Sequence, residues 1–418
     1  MSEYQLTVAV VGDPHFFVEP SSGSDSQISH VKLSPNGDFI DSAPPNPWLA
    51  LKQYVIDKSI RAELLLCAGD ITVYAEKVGL ERAWKELLDL GRLMGCSHVV
   101  SATGNHDIQS RSTSDVVNKN AIRGLSQVVG IFERLKQLSP TYPIVEIAST
   151  GVVDRRDLRS AYFGDDFAVL DQPNYRLAVL NSCCEHTVEP HQHERGSFPK
   201  SAQVALDAAL ASMTEPKINL MVCHHPPGPH GEHDLGDYDF IANGDGLVRS
   251  LERHGPWVIV HGHKHHGRIS YAQGSNAAPV IFSASSLGFC LDVQKSGMRN
   301  QFYCMNITMK PNGALRGNVN AWDWHVGLGW NKATPERGGI YDGCGFGLRR
   351  PLEDIADEVA GIASRLPCAW PDVLAAMPDL YFLTPDDMAI LAGRLANHKI
   401  AIDLCDDGSW NELVRANT

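Results

Sequence analysis

Short hydrophobic runs recur along most of the chain, and each of them ends in polar residues. Their length and their content of β-branched residues predict buried strands. The runs are Leu6 to Val11, Leu64 to Cys67, Val99 to Ala102, Leu177 to Leu180, Ile218 to Cys223, Trp257 to Val260 and Val280 to Ser283.

Segments with helical spacing of apolar residues lie between several of these runs. Alternating strands and helices predict layered α/β packing. The predicted helices are Trp48 to Lys58, Glu81 to Met94, Asn118 to Leu138, Ala202 to Ala211 and Gly246 to His254.

The pattern changes beyond about residue 300. Phe302 to Met309 and Ala314 to Trp324 predict antiparallel strands that close a first domain over residues 1–330. Glycine is frequent in residues 331–350, which predicts a linker. Residues 351–418 then predict a small helical module.

Two helix signals support this C-terminal module. Apolar residues follow helical spacing from Leu352 onward, and Thr384 followed by Pro385 is typical of an N-cap and the first helical position. The module contains twelve acidic and four basic residues, so it carries most of the net negative charge.

A long segment without periodicity lies near the N-terminus. Residues 17–47 are rich in Ser, Pro, Gly and Asp, and they exceed the usual length of a connection. Because the segment follows Asp13 and His15 directly, it is either a lid over a site or a mobile surface insertion.

Composition narrows the class of protein. The chain has 418 residues and a net charge of −13. This acidic balance disfavours broad attraction to nucleic acid or anionic lipid, although a local basic groove stays open. The ten cysteines include no C-x-x-C pair, and no apolar run approaches about 18 residues. These features predict a cytoplasmic protein with reduced thiols and no membrane span.

Side chains of the types that bind metal ions follow five of the predicted strands. Because the carboxyl ends of strands in an open α/β sheet share one edge, we expect these side chains to meet. Imidazole combined with carboxylate and amide oxygen suits divalent Mn, Fe, Zn, Co or Ni. The candidates are Asp13, His15, Asp70, Asn105, His106, Asp107, His224, His225, His263 and His265.

A single histidine after a strand is more often a hydrogen-bonded core or surface residue than a metal ligand. Five strand ends of the same kind favour the metal interpretation. His261 and His266 flank the last pair and are not needed as ligands. We expect them to pack against the ligands or to hydrogen-bond with them.

The ordered motifs resemble a known family. D-x-H, G-D, G-N-H-D, H-H-P and G-H-x-H follow one another between residues 12 and 265. In this order they resemble the five signature blocks of the calcineurin-like metallophosphoesterases. The resemblance implies an α/β fold of four layers, α/β/β/α, in which two β-sheets are flanked by helices. Residues 1–330 would then form the catalytic domain.

The resemblance also implies the roles of these residues. Two divalent metal ions are expected, with Mn or Fe as the first choice and Zn, Ni or Co as alternatives. His106 is expected to contact the substrate phosphate or to protonate the leaving group. Asp13, His15 and His265 would hold one ion, Asn105, His224 and His263 would hold the other, and Asp70 would bridge them.

A metal-dependent phosphoester hydrolase that uses a metal-bridging hydroxide is the implied activity. The G-D-I-T and G-N-H-D forms resemble the cyclic-nucleotide branch, so we expect a phosphodiesterase acting on a small nucleotide or cyclic nucleotide. Three alternatives stay open. They are an Mre11-like DNA or RNA nuclease, a phosphomonoesterase, and a non-catalytic interaction protein on the same scaffold.

The chain departs from the family pattern after the bridging carboxylate. Many relatives have an acidic residue three places after it, whereas this chain has Val73. Support for His106 would then come from Asp107 or Thr72. This departure disfavours a Ser/Thr protein phosphatase.

Other polar residues are candidates for substrate contact. His191, His193 and Arg195 lie in a polar insertion, and His225 follows a predicted ligand. His191, His193 and Arg195 either contact phosphate or belong to a solvated loop. His225 either contacts the substrate or, like His261 and His266, packs or hydrogen-bonds beside the ligands. The C-terminal module is a candidate for homo-oligomer formation or for binding a protein partner.

Overall fold

The architecture was analysed in a computed structural model of the chain. The structure describes residues 4–20, 28–40, 45–109, 129–186, 194–229, 239–275, 277–290 and 298–416. Within these ranges, no helix combines the length and the apolar character needed to cross a bilayer.

Twenty strands are present in the described part of the chain. They are β1 (Tyr4–Val11), β2 (Phe17–Val18), β3 (Lys32–Leu33), β4 (Leu64–Cys67), β5 (His98–Ser101), β6 (Ile144–Ala148), β7 (Gly151–Asp154), β8 (Phe167–Asp171), β9 (Tyr175–Leu180), β10 (Ile218–Val222), β11 (Trp257–His261), β12 (Arg268–Tyr271), β13 (Val280–Ser283), β14 (Gln301–Met309), β15 (Leu315–His325), β16 (Gly329–Lys332), β17 (Cys344–Phe346), β18 (Cys368–Ala369), β19 (Ile400–Leu404) and β20 (Trp410–Arg415).

The same ranges contain nine α-helices and three 3-10 helices. The α-helices are α1 (Pro47–Asp57), α2 (Lys77–Met94), α3 (Glu133–Lys136), α4 (Arg156–Gly164), α5 (Lys200–Ala211), α6 (Gly244–Glu252), α7 (Leu352–Ile362), α8 (Trp370–Ala376) and α9 (Pro385–Asn397). The 3-10 helices are Val129–Phe132, Pro335–Arg337 and Pro378–Phe382. The predicted helix Asn118 to Leu138 lies partly outside the described residues.

Two large sheets form the first domain. The first has nine strands in the order β16-β15-β14-β1-β4-β5-β6-β7, with β17 also paired to β15. The second has six strands in the order β12-β13-β11-β10-β9-β8. Strands β14 and β15 pair antiparallel, as their sequence predicted.

Side-chain alternation along the second sheet explains the layering. Leu220 and Val222 of β10 belong to the large core shared with the first sheet. Met221, between them, packs in a separate core that contains Leu206 of α5 and Leu247 of α6. Because successive residues of a strand point to opposite faces, β10 has a sheet on one side and helices on the other. The first sheet is covered by α1 and α2, which completes the predicted α/β/β/α sandwich.

The parallel strands place the candidate ligands. β1, β4 and β5 are parallel neighbours in the first sheet, and β10 and β11 are parallel neighbours in the second. The five ligand-bearing turns follow the carboxyl ends of these strands. They therefore meet at one end of the sandwich, with three turns from one sheet and two from the other.

The N-terminal insertion is anchored where the structure describes it. β2 and β3 pair in parallel, and both Val31 and Leu33 are fully buried. The backbone N–H of His30 donates to the Gly288 carbonyl at 2.7 Å. This part of the insertion therefore packs beside Phe289, and its role as a lid stays a prediction.

The predicted linker is folded against the first domain. β17 lies within residues 331–350 and pairs antiparallel with β15. After it, α7, α8 and α9 enclose a separate small core that includes Val359, Val373 and Leu391. Thr384 caps α9 and forms the reciprocal capping box with Asp387, as the N-cap signal predicted.

The C-terminal module also contains strands that the sequence analysis did not predict. β19 and β20 form a hairpin, and β18 pairs with β20. The hairpin turn contains Asp407 and Gly408, and Gly408 has φ +79°. An Asp-Gly pair between alternating apolar residues is a hairpin signal that was available in the sequence.

Candidate metal centre

Five of the predicted ligands have an unusual backbone conformation. Asp13, His15, Asp70, His263 and His265 have φ values of 38°, 47°, 49°, 71° and 53°. Residues other than glycine rarely adopt this left-handed backbone region. Each residue held there costs about 1–3 kcal/mol of conformational free energy. The surrounding structure therefore holds these turns in place, and the conformation is concentrated where the chemistry is expected.

Two glycines allow the ligand turns to approach one another closely. A Cβ at Gly104 would collide with the Asp70 carboxylate, and one at Gly262 would lie 2.5 Å from Asp13 Oδ2. Any larger residue would displace a carboxylate. The glycines of G-N-H-D and G-H-x-H are thus required by the contact between neighbouring turns.

The first cluster consists of His15, Asp70 and His265. One ligand atom from each lies within 4.8 Å of the other two. The Nε2 atoms of His15 and His265 are 3.1 Å apart. His15 Nε2 is 3.8 Å from Asp70 Oδ2. Three potential donor atoms therefore converge on one point.

The second cluster is centred on His224. Its Nε2 lies 3.0 Å from Asn105 Oδ1, 3.2 Å from His263 Nδ1 and 3.4 Å from Asp70 Oδ2. The resemblance implied that Asp13 shares an ion with His15 and His265, whereas in the structure Asp13 forms a group with Asp70 and His224 within 4.8 Å, on the side of the second cluster. Asp70 belongs to both clusters, which is the arrangement expected of a bridging carboxylate.

The donor set fits divalent metal ions. Asp13 and Asp70 are buried together, and burial followed by the charge of Asp70 raises the pKa of Asp13 well above its usual value. Two adjacent buried carboxylates call for positive charge between them. Among the described residues, Asp13 Oδ1 is buried without a hydrogen-bond partner. A cation at the junction of the clusters would satisfy this oxygen.

His265 has the protonation state that metal binding needs. Burial lowers the pKa of His265 to about 3, with a smaller contribution from His224. The ring is therefore neutral near pH 7 and keeps a lone pair for a ligand bond. His224 Nδ1 lies 2.9 Å from the carbonyl oxygen of Ala68, which orients its Nε2 toward the cluster.

Backbone groups fix the carboxylates. The His106 N–H donates to Asp70 Oδ1 at 2.7 Å, and the His263 N–H donates to Asp13 Oδ2 at 3.0 Å. The turn that carries His106 thus orients the Asp70 carboxylate, and the turn that carries His263 orients the Asp13 carboxylate. The other oxygens, Asp70 Oδ2 and Asp13 Oδ1, each lie 3.4 Å from a ring nitrogen of His224.

His106 lies beside the first cluster. Its ring centroid is 5.1 Å from that of His15 and 6.0 Å from that of Tyr74. The proposed supports of His106 bond to backbone groups. Asp107 accepts from the N–H groups of Thr72 and Gly104, and the Thr72 hydroxyl donates to the Phe16 carbonyl.

The four residues predicted to contact the substrate lie in different environments. His191 and His193 lie outside the described residues. Arg195 is exposed, and its carbonyl oxygen is 2.9 Å from His186 Nε2. His225 is fully buried, with Nδ1 2.8 Å from the Ser182 hydroxyl. A role in substrate binding stays a prediction for all four.

His261 and His266 are buried beside the ligand turn. His261 Nδ1 is 3.0 Å from the carbonyl oxygen of Gly262, the residue that precedes the ligand His263. Burial lowers the pKa of His261 to about 4. The carbonyl of His266 accepts from the Ser283 hydroxyl at 2.8 Å. His261 therefore contacts the backbone of the ligand turn, and the supporting role of His266 stays a prediction.

Sequence reasoning missed two aromatic residues and a pair of ligand-type residues. The Phe289 ring is 4.5 Å from the ring of His265, and Tyr74 lies beside His106. The sequence contained no signal for either aromatic. Cys183 and His186 follow β9, so extending the search for polar residues at strand ends to this strand would have found them.

The comparisons with known proteins agree with this geometry. The model of the calcineurin-like phosphoesterase family matches residues 6–267, more than half of the chain. A second family model, described as wHTH-Calcineurin_assc, matches residues 344–397 in the C-terminal module. No curated protein sequence matches the chain.

Solved structures similar to the chain include two Vps29 proteins at low identity. Vacuolar Protein Sorting 29 from Cryptosporidium parvum is 11% identical, over 78% of this chain and 95% of that chain, with a TM-score of 0.32. A single mutant of Vps29 from Entamoeba histolytica is also 11% identical, over 78% of this chain and 96% of that chain, with a TM-score of 0.29.

A two-sheet sandwich with clustered carboxylates and histidines at its strand ends defines a metal-dependent hydrolase of phosphoesters. The match over residues 6–267 makes the assignment specific: the chain belongs to the calcineurin-like phosphoesterase family.

Proposed function

We propose that the chain is a phosphodiesterase that hydrolyses small nucleotide or cyclic-nucleotide esters at a centre of two divalent metal ions. The position of Asp70 carries this proposal. Its carboxylate belongs to the His15–His265 cluster and also to the cluster around His224. A shared carboxylate between two ligand sets is the arrangement needed to hold two ions close together.

The chain supplies the ligands and their orientation. His15, Asp70 and His265 would hold one ion, and Asp70, Asn105, His224 and His263 the other. Asp13 completes the site next to Asp70. Two ions held there would lower the pKa of a shared water and offset charge on the phosphoryl oxygens.

His106 would act on the leaving group. Its backbone N–H is bonded to Asp70, while its ring lies beside that of His15. The ring therefore sits next to the expected position of the ester without being needed as a ligand. Proton donation to a departing alkoxide contributes roughly 10²- to 10⁴-fold to a rate.

Two aromatic rings favour a nucleotide substrate. Tyr74 is 37% exposed and has φ +58°, and its ring lies beside that of His106. Phe289 is half-buried and contacts the rings of both His15 and His265. A base can stack on such rings, and stacking is worth about 1–3 kcal/mol per base. These rings border the metal clusters, where the base of a small ester would lie.

The charge distribution favours a small substrate over a polymer. The chain carries a net charge of −13, and a nucleic-acid backbone rewards an excess of Lys and Arg. Lys264 lies between two ligands, but its ammonium group is 2.7 Å from Asp239. Its charge is therefore already balanced within the protein.

A metal-reconstitution assay tests the proposal. Metal-free protein is given Mn, Fe, Zn or Ni in turn and assayed on bis-p-nitrophenyl phosphate, p-nitrophenyl phosphate, cyclic nucleotides and single-stranded DNA. We expect metal-dependent cleavage of the diester and of cyclic nucleotides, without cleavage of DNA. Degradation of DNA would instead support the nuclease alternative, and hydrolysis of only the monoester would support a phosphomonoesterase.

A Tyr74→Ala variant tests the role of the aromatic ring. We expect KM for a cyclic nucleotide to rise about 5- to 150-fold, because about 1–3 kcal/mol of stacking is lost. KM for glycerophosphodiesters, which have no aromatic group, should stay unchanged. Tyr74→Trp is the matched control, since it retains a stacking surface. Equal effects on both substrates would argue against a base-stacking role.

A further inference from the structure

We propose that Cys183, His186 and His225 form a third metal site, suited to Zn²⁺, beside the two ligand clusters. One potential donor atom from each residue lies within 4.8 Å of the other two. All three side chains are buried, at 0%, 2% and 0% exposure. The proposal concerns a different set of residues from the phosphoesterase ligands and does not depend on which ester is hydrolysed.

The geometry is close to that of a tetrahedral zinc site. Zn–S bonds of about 2.3 Å and Zn–N bonds of about 2.0–2.1 Å place the ligand atoms of one sulfur and two nitrogens about 3.3–3.6 Å apart in a tetrahedral site. The three donor atoms lie within 4.8 Å of one another, so each pair is at most about 1.5 Å beyond this separation. A thiolate and two imidazoles leave a fourth position for water, as in zinc sites with three protein ligands.

The hydrogen bond of His186 prepares one ring nitrogen as a ligand. His186 Nε2 is 2.9 Å from the carbonyl oxygen of Arg195, which can only accept a hydrogen bond. Nε2 therefore carries the proton, and in the neutral ring Nδ1 carries a lone pair. A metal-bound histidine commonly donates its other N–H to a backbone carbonyl in this way.

We assign His225 to the third site, although its donor atoms also form a group with His224 and His263 within 4.8 Å. Its ring centroid is 4.5 Å from that of His263 and 5.2 Å from that of His186, so it lies between the two sites. The second cluster already has four candidate donors in Asp70, Asn105, His224 and His263. His225 Nδ1 is 2.8 Å from the Ser182 hydroxyl, so we assign Nε2 as the ligand atom.

Cys183 provides the selectivity for zinc. Its thiol donates to the carbonyl oxygen of Thr103 at 3.3 Å. Binding of the ion replaces the S–H bond by an S–metal bond and releases one proton to solvent, with no change of oxidation state. A sulfur donor favours Zn²⁺ over Mn²⁺, which prefers oxygen ligands. The donor set thus differs from that of the carboxylate-containing clusters.

The site would fix one more strand end to the metal centre. Cys183 and His186 follow β9, which is the parallel neighbour of β10, the strand that precedes His224 and His225. An ion held by both turns would cross-link them. The segment that leads into the polar insertion with Arg195 would then be held beside the second cluster.

Metal stoichiometry and cobalt spectroscopy test the site without an activity assay. Full-length metal-free protein is titrated with Zn²⁺ or Co²⁺, and bound metal is counted by mass spectrometry. We expect three equivalents in the wild type and two in Cys183→Ser. The cobalt form should show a sulfur-to-cobalt charge-transfer band in the near ultraviolet, which Cys183→Ser should lose.

The other cysteines provide matched controls. Cys184 is the neighbouring residue, and its thiol contacts the Ser197 carbonyl at 3.9 Å. Cys405 is exposed and tests adventitious surface binding. Cys184→Ser and Cys405→Ser should retain both the third equivalent and the charge-transfer band. Loss of the band in either control but not in Cys183→Ser would overturn the assignment.

A measurement on the wild type covers the case in which Cys183→Ser does not fold. X-ray absorption of protein loaded with three equivalents of zinc should show a sulfur neighbour at about 2.3 Å. Binding of only two equivalents, or a zinc spectrum without sulfur, would refute the third site. Neither result would affect the proposed phosphodiesterase, because its own test is metal-dependent ester hydrolysis.

Discussion

The guanidinium group of Arg268 holds one carboxylate oxygen of Asp386 with two nitrogens, Nε at 3.0 Å and Nη2 at 2.9 Å. Arg268 begins β12, three residues after the candidate ligand His265, and Asp386 lies in the first turn of α9. The C-terminal module is therefore bonded to the strand that leaves the metal centre. Tyr271 of the same strand contacts the linker that precedes the module, because its hydroxyl oxygen accepts from the Gly347 N–H at 2.8 Å.

We expect the Arg268–Asp386 pair to contribute little to stability, because both side chains are partly exposed. Exposed pairs contribute about 0.2–1 kcal/mol. A double-mutant cycle with Arg268→Gln and Asp386→Asn, measured by urea denaturation, should give a coupling energy in this range. Asp354→Asn, in the first turn of α7, is the control for loss of a helix-dipole contact. A coupling energy of zero would show that the two residues do not interact in solution.

Replacement of the shared carboxylate should remove activity. Asp70→Ala is expected to lower turnover more than about 100-fold, since loss of an outer-sphere partner alone costs 10- to 100-fold. Bound metal should also decrease when it is counted after dialysis. Asp89→Ala, on the surface of α2, is the matched control and should retain metal and activity. Unchanged turnover in Asp70→Ala would contradict the bridging role.

The proposed proton donor is tested by the dependence on the leaving group. His106→Ala should lose about 10²- to 10⁴-fold in kcat on an ester with an alkoxide leaving group. The loss should be small on p-nitrophenyl esters, because p-nitrophenolate departs without protonation. Metal content should stay unchanged, since the backbone N–H that binds Asp70 remains in the variant. Equal losses on both substrates would indicate a role other than proton donation.

Asp107 is expected to hold two ligand turns together. Its carboxylate accepts from the N–H of Thr72 and from the N–H of Gly104, at 3.1 Å and 2.9 Å. Asp107→Ala leaves buried donors without this acceptor, so the free energy of unfolding should fall by about 1–3 kcal/mol. Asp154→Ala removes the acceptor of the Thr141 N–H at an exposed position, and its effect should be smaller. Equal destabilisation would argue against a special role for Asp107.

The ligand residues could be identified from local sequence. Each predicted strand is a short apolar run, and each ligand lies within a few residues of its end. Both features depend on neighbouring residues only, because burial of a strand is reflected in its own composition and side-chain period. The N-cap at Thr384 was predicted for the same reason, since a capping box spans four consecutive residues.

The distances between these residues could not be predicted in the same way. His15 and His265 are separated by 250 positions, yet their Nε2 atoms are 3.1 Å apart. That distance depends on how two sheets pack through their inner faces. Phe289 contacts both rings for the same reason, and no local pattern marked it as part of the site.

The sequence by itself determined the donor types, the strands that carry them and the family they resemble, because these are properties of short segments. Only the tertiary structure decided that three ligand turns come from one sheet and two from the other, and that Asp70 lies between two clusters. It also placed Cys183 and His186 beside His225. These relationships arise from contacts between distant segments, which form only when the two sheets close over a common core.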